Sequence, residues 1–176
     1  MLFRSSKTGH VIDTYLKDDE EEGEECLSDQ AVHLLFSANR WEMASQIMDL
    51  IDAGIHVILD RYAYSGVAYT MAKGGLSMLW CSAPDVGLPE PDRVFFIDTP
   101  IDTTEKRGGF GEERYEEVAF QRRVLSFYRD ILHVSKNVIT VDGARDKDQV
   151  HKDVCDSISE EKEFLRSLPL GKLWCN

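Results

Sequence analysis

The residues best suited to chemistry in this 176-residue sequence follow its predicted strands. Three near-continuous β-rich runs each end in an aspartate, and these runs are 55–60, 93–98 and 137–142. In an open parallel sheet the ligand crevice lies beyond the carboxyl ends of the strands, where an aspartate can hold Mg²⁺ or its waters. A single aspartate there more often caps a turn, and we expect that role for Asp142, which precedes Gly143.

Asp60 is the strongest candidate among these acids because Arg61 follows it at the expected edge of the crevice. A guanidinium in that place can bind a phosphate group through two parallel hydrogen bonds. The alternative is an ordinary surface ion pair. The polar and aromatic side chains that follow, including Ser65 and Tyr69, favour a binding site over that alternative.

The segment 106–115 combines three glycines with three cations just before a predicted long helix. Glycine lets the backbone approach a ligand closely and move, and cations such as Arg107 and Arg114 can face phosphate oxygens. This pattern is typical of a mobile lid over a phosphoryl-transfer site. An ordinary flexible surface loop explains the glycines equally well.

Phe36 and Arg40 are four residues apart in a predicted helix, so an aromatic ring and a guanidinium share one helix face. The ring can stack on a nucleobase, and the arginine can donate hydrogen bonds to a base carbonyl. The alternative places Phe36 in the core and Arg40 in a surface ion pair.

The elements that must position these groups are helices that alternate with the strands. Ser28 is a plausible N-cap and Gly54 a stop signal for a long helix between them. Further helical patterns run over about 8–16, 113–134 and 147–165. Strands that alternate with helices indicate an α/β architecture with a parallel sheet, and the length fits a single domain.

The charge balance excludes one class of partner. The chain has 32 acidic and 20 basic residues, a formal net charge of −12, whereas proteins that neutralise nucleic-acid phosphates carry a basic surface. Seven of the eight residues in 18–25 are acidic. We expect a solvated surface loop at about 17–27, because the run lacks the spacing of a calcium loop.

Cysteine usage and hydropathy bear on the compartment. The four cysteines are far apart with no C-x-x-C pair, a pattern typical of reduced thiols in a cytoplasmic or nuclear protein. No signal peptide is visible, and no apolar run approaches the roughly 20 residues of a membrane span. We therefore expect no membrane association.

One expected motif is missing. A nucleotide kinase of this layout opens with a strand, a G-x-x-x-x-G-K-[ST] phosphate loop (the Walker A motif) and a helix. The 176 residues contain no such loop, since Leu173 follows Gly171-Lys172 where Ser or Thr is required.

Six segments nevertheless occur in an order typical of one family. They are HLLFSANRWE (33–42), DRYAYSGVAYT (60–70), PDVGLPEPD (84–92), EKRGGFGEERYE (105–116), AFQ (119–121) and PLGKLW (169–174). Through them the chain, from about Arg4 to its C-terminus, resembles eukaryotic thymidylate kinases. The resemblance implies one domain over 1–176 with a three-layer P-loop kinase-like α/β fold, a parallel sheet wrapped by helices. It also implies a homodimer that transfers the γ-phosphoryl group of ATP to dTMP, with Mg²⁺, giving dTDP for dTTP synthesis.

The resemblance further implies roles for single residues. Phe36 would stack on thymine, Arg40 would bond the base edge, and Tyr115 would favour a deoxyribose. Asp60 would help to position phosphate and, through water, the metal. The other contacts to the acceptor nucleotide would come from Arg4, Arg61, Ser65, Tyr69 and Gln121. The lid arginines over the donor would be Arg107 and Arg114. Arg4 departs from the family pattern, because Phe3-Arg4-Ser5 lacks the F-P-x-R proline and spacer.

The same resemblance places the family's first strand, phosphate loop and first helix before Met1. We therefore expect a sheet without that first, central strand, whose neighbours have unpaired edges, and weak or no phosphoryl transfer by this chain alone. Two interpretations stay open: an N-terminally truncated thymidylate kinase, and a non-catalytic thymidylate-binding relative or subunit partner. The six motifs disfavour a third, a flavodoxin-like binding domain.

Overall fold

The structure, a computed structural model, describes residues 6–17, 27–104, 117–133, 135 and 137–175. Helices and two parallel strands alternate through these residues. The helices are α1 (Lys7–Lys17), α2 (Asp29–Asp52), α3 (Ala63–Lys73), α4 (Met78–Ser82), α5 (Ile101–Thr104), α6 (Val118–His133) and α7 (Lys147–Ser167), with a 3₁₀ turn at Ala83–Asp85. The predicted α/β class is confirmed, and so is the helix predicted over about 8–16, which is α1.

Helix α2 has the predicted termini. The Ser28 hydroxyl accepts a hydrogen bond from the Ala31 amide at 3.2 Å, which satisfies one of the free N–H groups of the first turn. Beyond the last turn, Gly54 adopts a φ of 75°, a left-handed conformation that glycine reaches without steric cost.

The sheet consists of β1 (Val94–Asp98) and β2 (Val138–Asp142), paired in parallel. Both were predicted from their β-rich composition. Val94 lies opposite Val138, and the register ends with Asp98 opposite Asp142. The two strand-end acids therefore lie side by side at the carboxyl edge.

The third predicted strand, 55–60, is wrong. Residues 55–59 lack regular secondary structure, and none of the residues that the structure describes pairs with them. A β-rich segment becomes a strand only when a neighbour satisfies its backbone groups. The exposed fractions of Ile55 and Ile58 are 52% and 86%, so these two side chains lack a cover, whereas Leu59 packs against the core.

The core is centred on α3, which packs against α6 and against α2. Ala63, Val67 and Ala68 are fully buried, and such small side chains let neighbouring helices approach closely. In α6, Val124 and Ile131 are seven residues apart and supply the facing buried stripe. Helix α3 therefore holds the polar groups of its N-terminal half at a fixed place.

Two predicted helix boundaries can be compared with the structure. The third long helix, predicted to about residue 165, runs to Ser167. The helix predicted from about 113 is described from Val118, and residues 113–116 and 134 lie outside the described residues. The acidic run 18–25 also lies outside them. No helix within the described ranges combines the length and apolar character needed to cross a bilayer.

Candidate functional site

A strained turn carries the predicted phosphate-binding pair. Asp60 and Arg61 are both exposed and lie just before α3. Arg61 has a φ of 63°, in the left-handed region that costs a residue with a side chain roughly 1–2 kcal/mol. Strain of this kind persists where the surrounding structure enforces it, and it is concentrated at ligand sites.

The Arg61 guanidinium lies over an aromatic ring. Its carbon is 5.2 Å from the centroid of the Tyr69 ring, two turns along α3. Partial desolvation alone would lower the pKa of Arg61, but the phenol oxygens of Tyr69 and Tyr128 and the Asp60 carboxylate outweigh it and raise that pKa. The group is thus a permanent cation held by a ring face, and it forms no ion pair within the described residues.

Helix α6 completes this side of the site. The amide nitrogen of Gln121 lies 3.5 Å from the Tyr69 hydroxyl, and the rings of Tyr69 and Phe120 meet edge to face at 6.0 Å. The Tyr128 hydroxyl donates a 2.6 Å hydrogen bond to the Ser65 hydroxyl. Four predicted residues therefore come together along the seam between α3 and α6, and they are Arg61, Ser65, Tyr69 and Gln121.

Helix α2 contributes a buried cation, Arg40, that lies against Gly66 of α3. Arg40 donates from Nε to Asp85 Oδ1 at 3.0 Å and from Nη2 to Oδ2 at 2.6 Å. Arg40 is 2% exposed and Asp85 is fully buried. The surface ion pair that we weighed for Arg40 is thus replaced by a buried, two-bond pair, while Phe36 is half-buried one turn earlier.

Asp85 is held in place from two directions. The Ser37 hydroxyl donates to its Oδ1 at 2.7 Å. The chain just after Asp85 pairs with a distant segment: the Gly87 amide donates to the Leu173 carbonyl at 2.9 Å, and the Leu173 amide donates to the Leu88 carbonyl at 2.8 Å. Leu173 is 1% exposed, so this closure is part of the core.

A buried histidine lies behind the same helices. His33 Nε2 lies 2.8 Å from the Cys81 carbonyl, which can only accept, so Nε2 carries the proton. Nδ1 then accepts from the Thr70 hydroxyl at 2.8 Å. Burial lowers the pKa of His33, against the opposing influence of the Cys81 carbonyl. His33 is a neutral crosslink between α2, α3 and α4.

The other two strand-end acids have structural partners. Arg129 binds both Asp98 oxygens, with its Nη2 2.9 Å from Oδ1. Asp142 Oδ1 accepts from the Ala144 amide at 3.0 Å, which confirms the predicted turn role. Within the described ranges no three acids, histidines or cysteines are grouped to hold a metal.

Some predicted site residues lie outside the described residues, namely Arg4, Arg107, Arg114 and Tyr115. Two residues in the site were not predicted. Asp85 lies in a quoted motif, but nothing local marks its partner, Arg40, 45 residues away. Tyr128 recurs on the apolar stripe of α6, and a hydroxyl among apolar positions was the available signal.

The parallel sheet and the helices that alternate with its strands define this chain as an α/β protein, whose candidate site combines an arginine on a strained turn with a second, buried arginine. The family profile described as thymidylate kinase matches residues 3–154. The thymidylate kinase of Danio rerio is 43% identical over 172 residues, which cover 97% of this chain and 79% of that relative. The thymidylate kinase of Homo sapiens is 40% identical with the same coverage.

A solved structure agrees with these relatives. A thymidylate kinase from Candida albicans superposes with a TM-score of 0.84 at 36% sequence identity, covering 97% of this chain and 82% of that chain. The chain therefore belongs to the thymidylate kinase family and has its P-loop kinase-type fold.

Proposed function

We propose that the chain binds dTMP in the crevice beside α3 and serves transfer of the γ-phosphoryl group of ATP to it, giving dTDP. The observation that carries this proposal is Arg61, a permanent cation on a strained turn, exposed and without an ion-pair partner in the described residues. An anion bound there gains charge-assisted hydrogen bonds at no cost of breaking an existing pair.

The α3–α6 seam and α2 supply the nucleoside contacts. In this assignment Arg61 binds the acceptor phosphate, and Ser65, Tyr69 and Gln121 surround the nucleoside. Phe36 stacks on the base and Arg40 donates to its edge, which their common helix face supports. From the sequence alone we add Arg4 for the phosphate and Tyr115 for the deoxyribose.

The donor side rests on fewer described residues. We assign Arg107 and Arg114 to the lid over ATP and Asp60 to Mg²⁺, through a water. The exposed Asp60 carboxylate fits that ion, because Mg²⁺ in kinases is held by one or two carboxylates plus substrate phosphates rather than by a cage of acids. Mg²⁺ supplies charge neutralisation on the phosphate oxygens when bound.

For the 176-residue chain by itself we propose dTMP binding with dTDP formation near background. Phosphoryl transfer depends on positioning and charge stabilisation, and no G-x-x-x-x-G-K-[ST] loop occurs in these residues. A thymidylate-binding relative or a subunit partner is the second candidate, favoured by the same missing loop.

We also propose a homodimer that forms through helix faces. Leu34 and Trp41 are seven residues apart on α2, and their exposed fractions are 47% and 43%. Apolar side chains at that spacing share one side of a helix and are available to a second copy. Sedimentation velocity across a concentration series tests this proposal.

The decisive experiment measures binding and turnover on the same purified chain. Calorimetry with dTMP should give a saturable signal, and a coupled ADP-release assay with ATP, Mg²⁺ and dTMP should stay near background. Loss of the calorimetric signal would refute the nucleotide-binding proposal. Ordinary kinase turnover would refute the proposed dependence on a phosphate loop, and would also exclude the non-catalytic alternative.

A further inference from the structure

Both carboxylate oxygens of Asp85 accept hydrogen bonds from neighbouring side chains. Oδ1 accepts from Arg40 Nε and from the Ser37 hydroxyl, and Oδ2 accepts from Arg40 Nη2. The acid is fully buried, and both of its oxygens accept hydrogen bonds from side chains of the protein. Its effect is on Arg40: two bonds in the plane of the guanidinium fix the direction in which the remaining N–H groups point.

The backbone of α3 at Gly66 packs closely against the same guanidinium. A Cβ atom on Gly66 would lie 3.0 Å from Arg40 Nη2 and 3.1 Å from Nη1. Gly66 therefore lets Arg40 lie against the backbone of α3, one residue from Ser65. The cation is held in its plane by Asp85 and against its face by α3.

Arg40 keeps N–H donors without an acceptor in the part of the chain that the structure describes. A guanidinium has five N–H groups, and within the described residues Nη1 makes no hydrogen bond. The hydroxyl of Tyr62, a residue 6% exposed, is also without a hydrogen-bond partner there. Burial raises the pKa of Tyr62 to about 12, with a further raising effect of the Asp85 carboxylate and an opposing effect of the Arg40 guanidinium. Unused polar groups at a buried place point to a polar ligand or water.

We propose that Asp85 is a specificity-determining positioning residue, which aims Arg40 so that Nη1 meets a carbonyl of the base. This inference rests on the proposed dTMP site. Arginine only donates, so the pocket accepts a pyrimidine with a keto group at that edge and rejects cytosine, whose amino group is itself a donor. A site built to satisfy a hydrogen bond discriminates strongly against an analogue that cannot form it.

The test compares dTMP and dCMP affinities by calorimetry in the full 176-residue chain. Asp85→Asn keeps the shape of the side chain but turns one acceptor into a donor that faces the guanidinium. We expect the dTMP:dCMP affinity ratio to fall at least about tenfold, because the direction of Nη1 is lost. Asp102→Asn is the matched control, since Asp102 pairs with Arg122 at the surface and is 77% exposed. Its ratio should equal that of the unaltered chain.

A purely structural role for Asp85 would weaken both nucleotides together and leave the ratio unchanged, and that result in folded Asp85→Asn overturns the inference. If Asp85→Asn does not fold, Ser37→Ala decides, because it removes only one bond to Oδ1. We expect its ratio to fall about threefold, and an unchanged ratio again overturns the inference. Failure of the unaltered chain to bind dTMP refutes the proposed function instead.

Discussion

Tyr128 of α6 donates a 2.6 Å hydrogen bond to Ser65 of α3 across the seam of the site. Burial raises the pKa of Tyr128, against the opposing effect of this bond, so the phenol stays protonated and remains a donor at neutral pH. The bond orients Ser65, which is four residues after Arg61 and directly before Gly66, the residue that Arg40 contacts.

The Tyr128–Ser65 bond should appear as a coupling energy. Tyr128→Phe should lower the free energy of unfolding by about 1 kcal/mol, the usual contribution of such a bond. Ser65→Ala should cost a similar amount alone and close to nothing in the Tyr128→Phe background. Urea unfolding of the four proteins checks this, and strictly additive costs would contradict the bond.

Arg61 should dominate phosphate affinity. Arg61→Ala removes charge-assisted hydrogen bonds with a contribution of roughly 1.5–3 kcal/mol, which lowers dTMP affinity about 10- to 150-fold. The control is Arg122→Ala, since Arg122 is an arginine with 62% side-chain exposure in a surface pair. Calorimetry should show the loss in the first variant alone, and unchanged affinity in Arg61→Ala would remove the assigned role.

The free energy of unfolding should decrease as the pH is lowered through the range in which His33 takes up a proton in the unfolded chain. The pKa of His33 in the folded state lies below the ordinary value of 6.5. As the pH drops below about 6.5, His33 is therefore protonated in the unfolded state while it stays neutral in the folded state. The free energy of unfolding should decrease by up to about 1.4 kcal/mol per pH unit from this group. Urea midpoints from pH 7.5 to 5 measure the effect.

His33→Gln should flatten that pH dependence, because glutamine does not titrate. His10→Gln, a change at an exposed histidine on α1, should retain the slope of the unaltered chain. Equal slopes in all three proteins would mean that other groups cause the loss.

The contact between Gly66 and Arg40 should determine whether Gly66→Ala raises or lowers the stability of the fold. Within a helix Gly→Ala ordinarily stabilises by about 0.5–1 kcal/mol. At Gly66 the three nearest atoms to the new Cβ all belong to Arg40, so this gain should be offset or reversed. In an Arg40→Met background the gain should return. Thermal unfolding of the single and double variants measures both effects, and equal effects in the two backgrounds would contradict the contact.

The exposed isoleucines of segment 55–59 should promote self-association of the 176-residue chain. Ile58 is 86% exposed in a segment that has no regular secondary structure and no partner strand in the described residues, and such an exposed apolar side chain can recruit other chains. Ile58→Lys should raise the concentration at which light scattering detects aggregates. Its unfolding midpoint should change little, since surface changes usually stay within 0.5 kcal/mol. Ile158→Lys, at a less exposed site on α7, should leave aggregation unchanged.

Local signals predicted what local interactions determine. Ser28 and Gly54 predicted the ends of α2 because each acts within a few residues. The Ser28 side chain accepts a hydrogen bond from a backbone amide of the first turn, and Gly54 adopts the left-handed conformation that ends the helix. Asp142 was predicted as a turn residue for the same reason. The pairing of Arg40 with Asp85 was beyond reach, since no short-range pattern links residues 45 positions apart.

The segment 55–59 shows the opposite limit of sequence reasoning. Its composition is as β-rich as that of β1, yet β1 is a strand and 55–59 is not. Strand formation is a property of two segments, whereas composition reports on one. The same distinction explains why the sequence predicts Arg61 beside Asp60 as a site, whereas the contact of Arg61 with the Tyr69 ring depends on how α3 follows the turn.

The closure of Gly87 and Leu88 by Leu173 has a consequence for the order of events during folding. The two partners are about 85 residues apart in the chain, so their contact closes a long loop and forms only after the entropy of that loop has been lost. Helices α2 and α3, by contrast, are close neighbours in sequence and can dock early. The acid that holds Arg40 thus becomes fixed only when the far segment arrives. A refolding chain should regain its helical signal before it regains discrimination between bases.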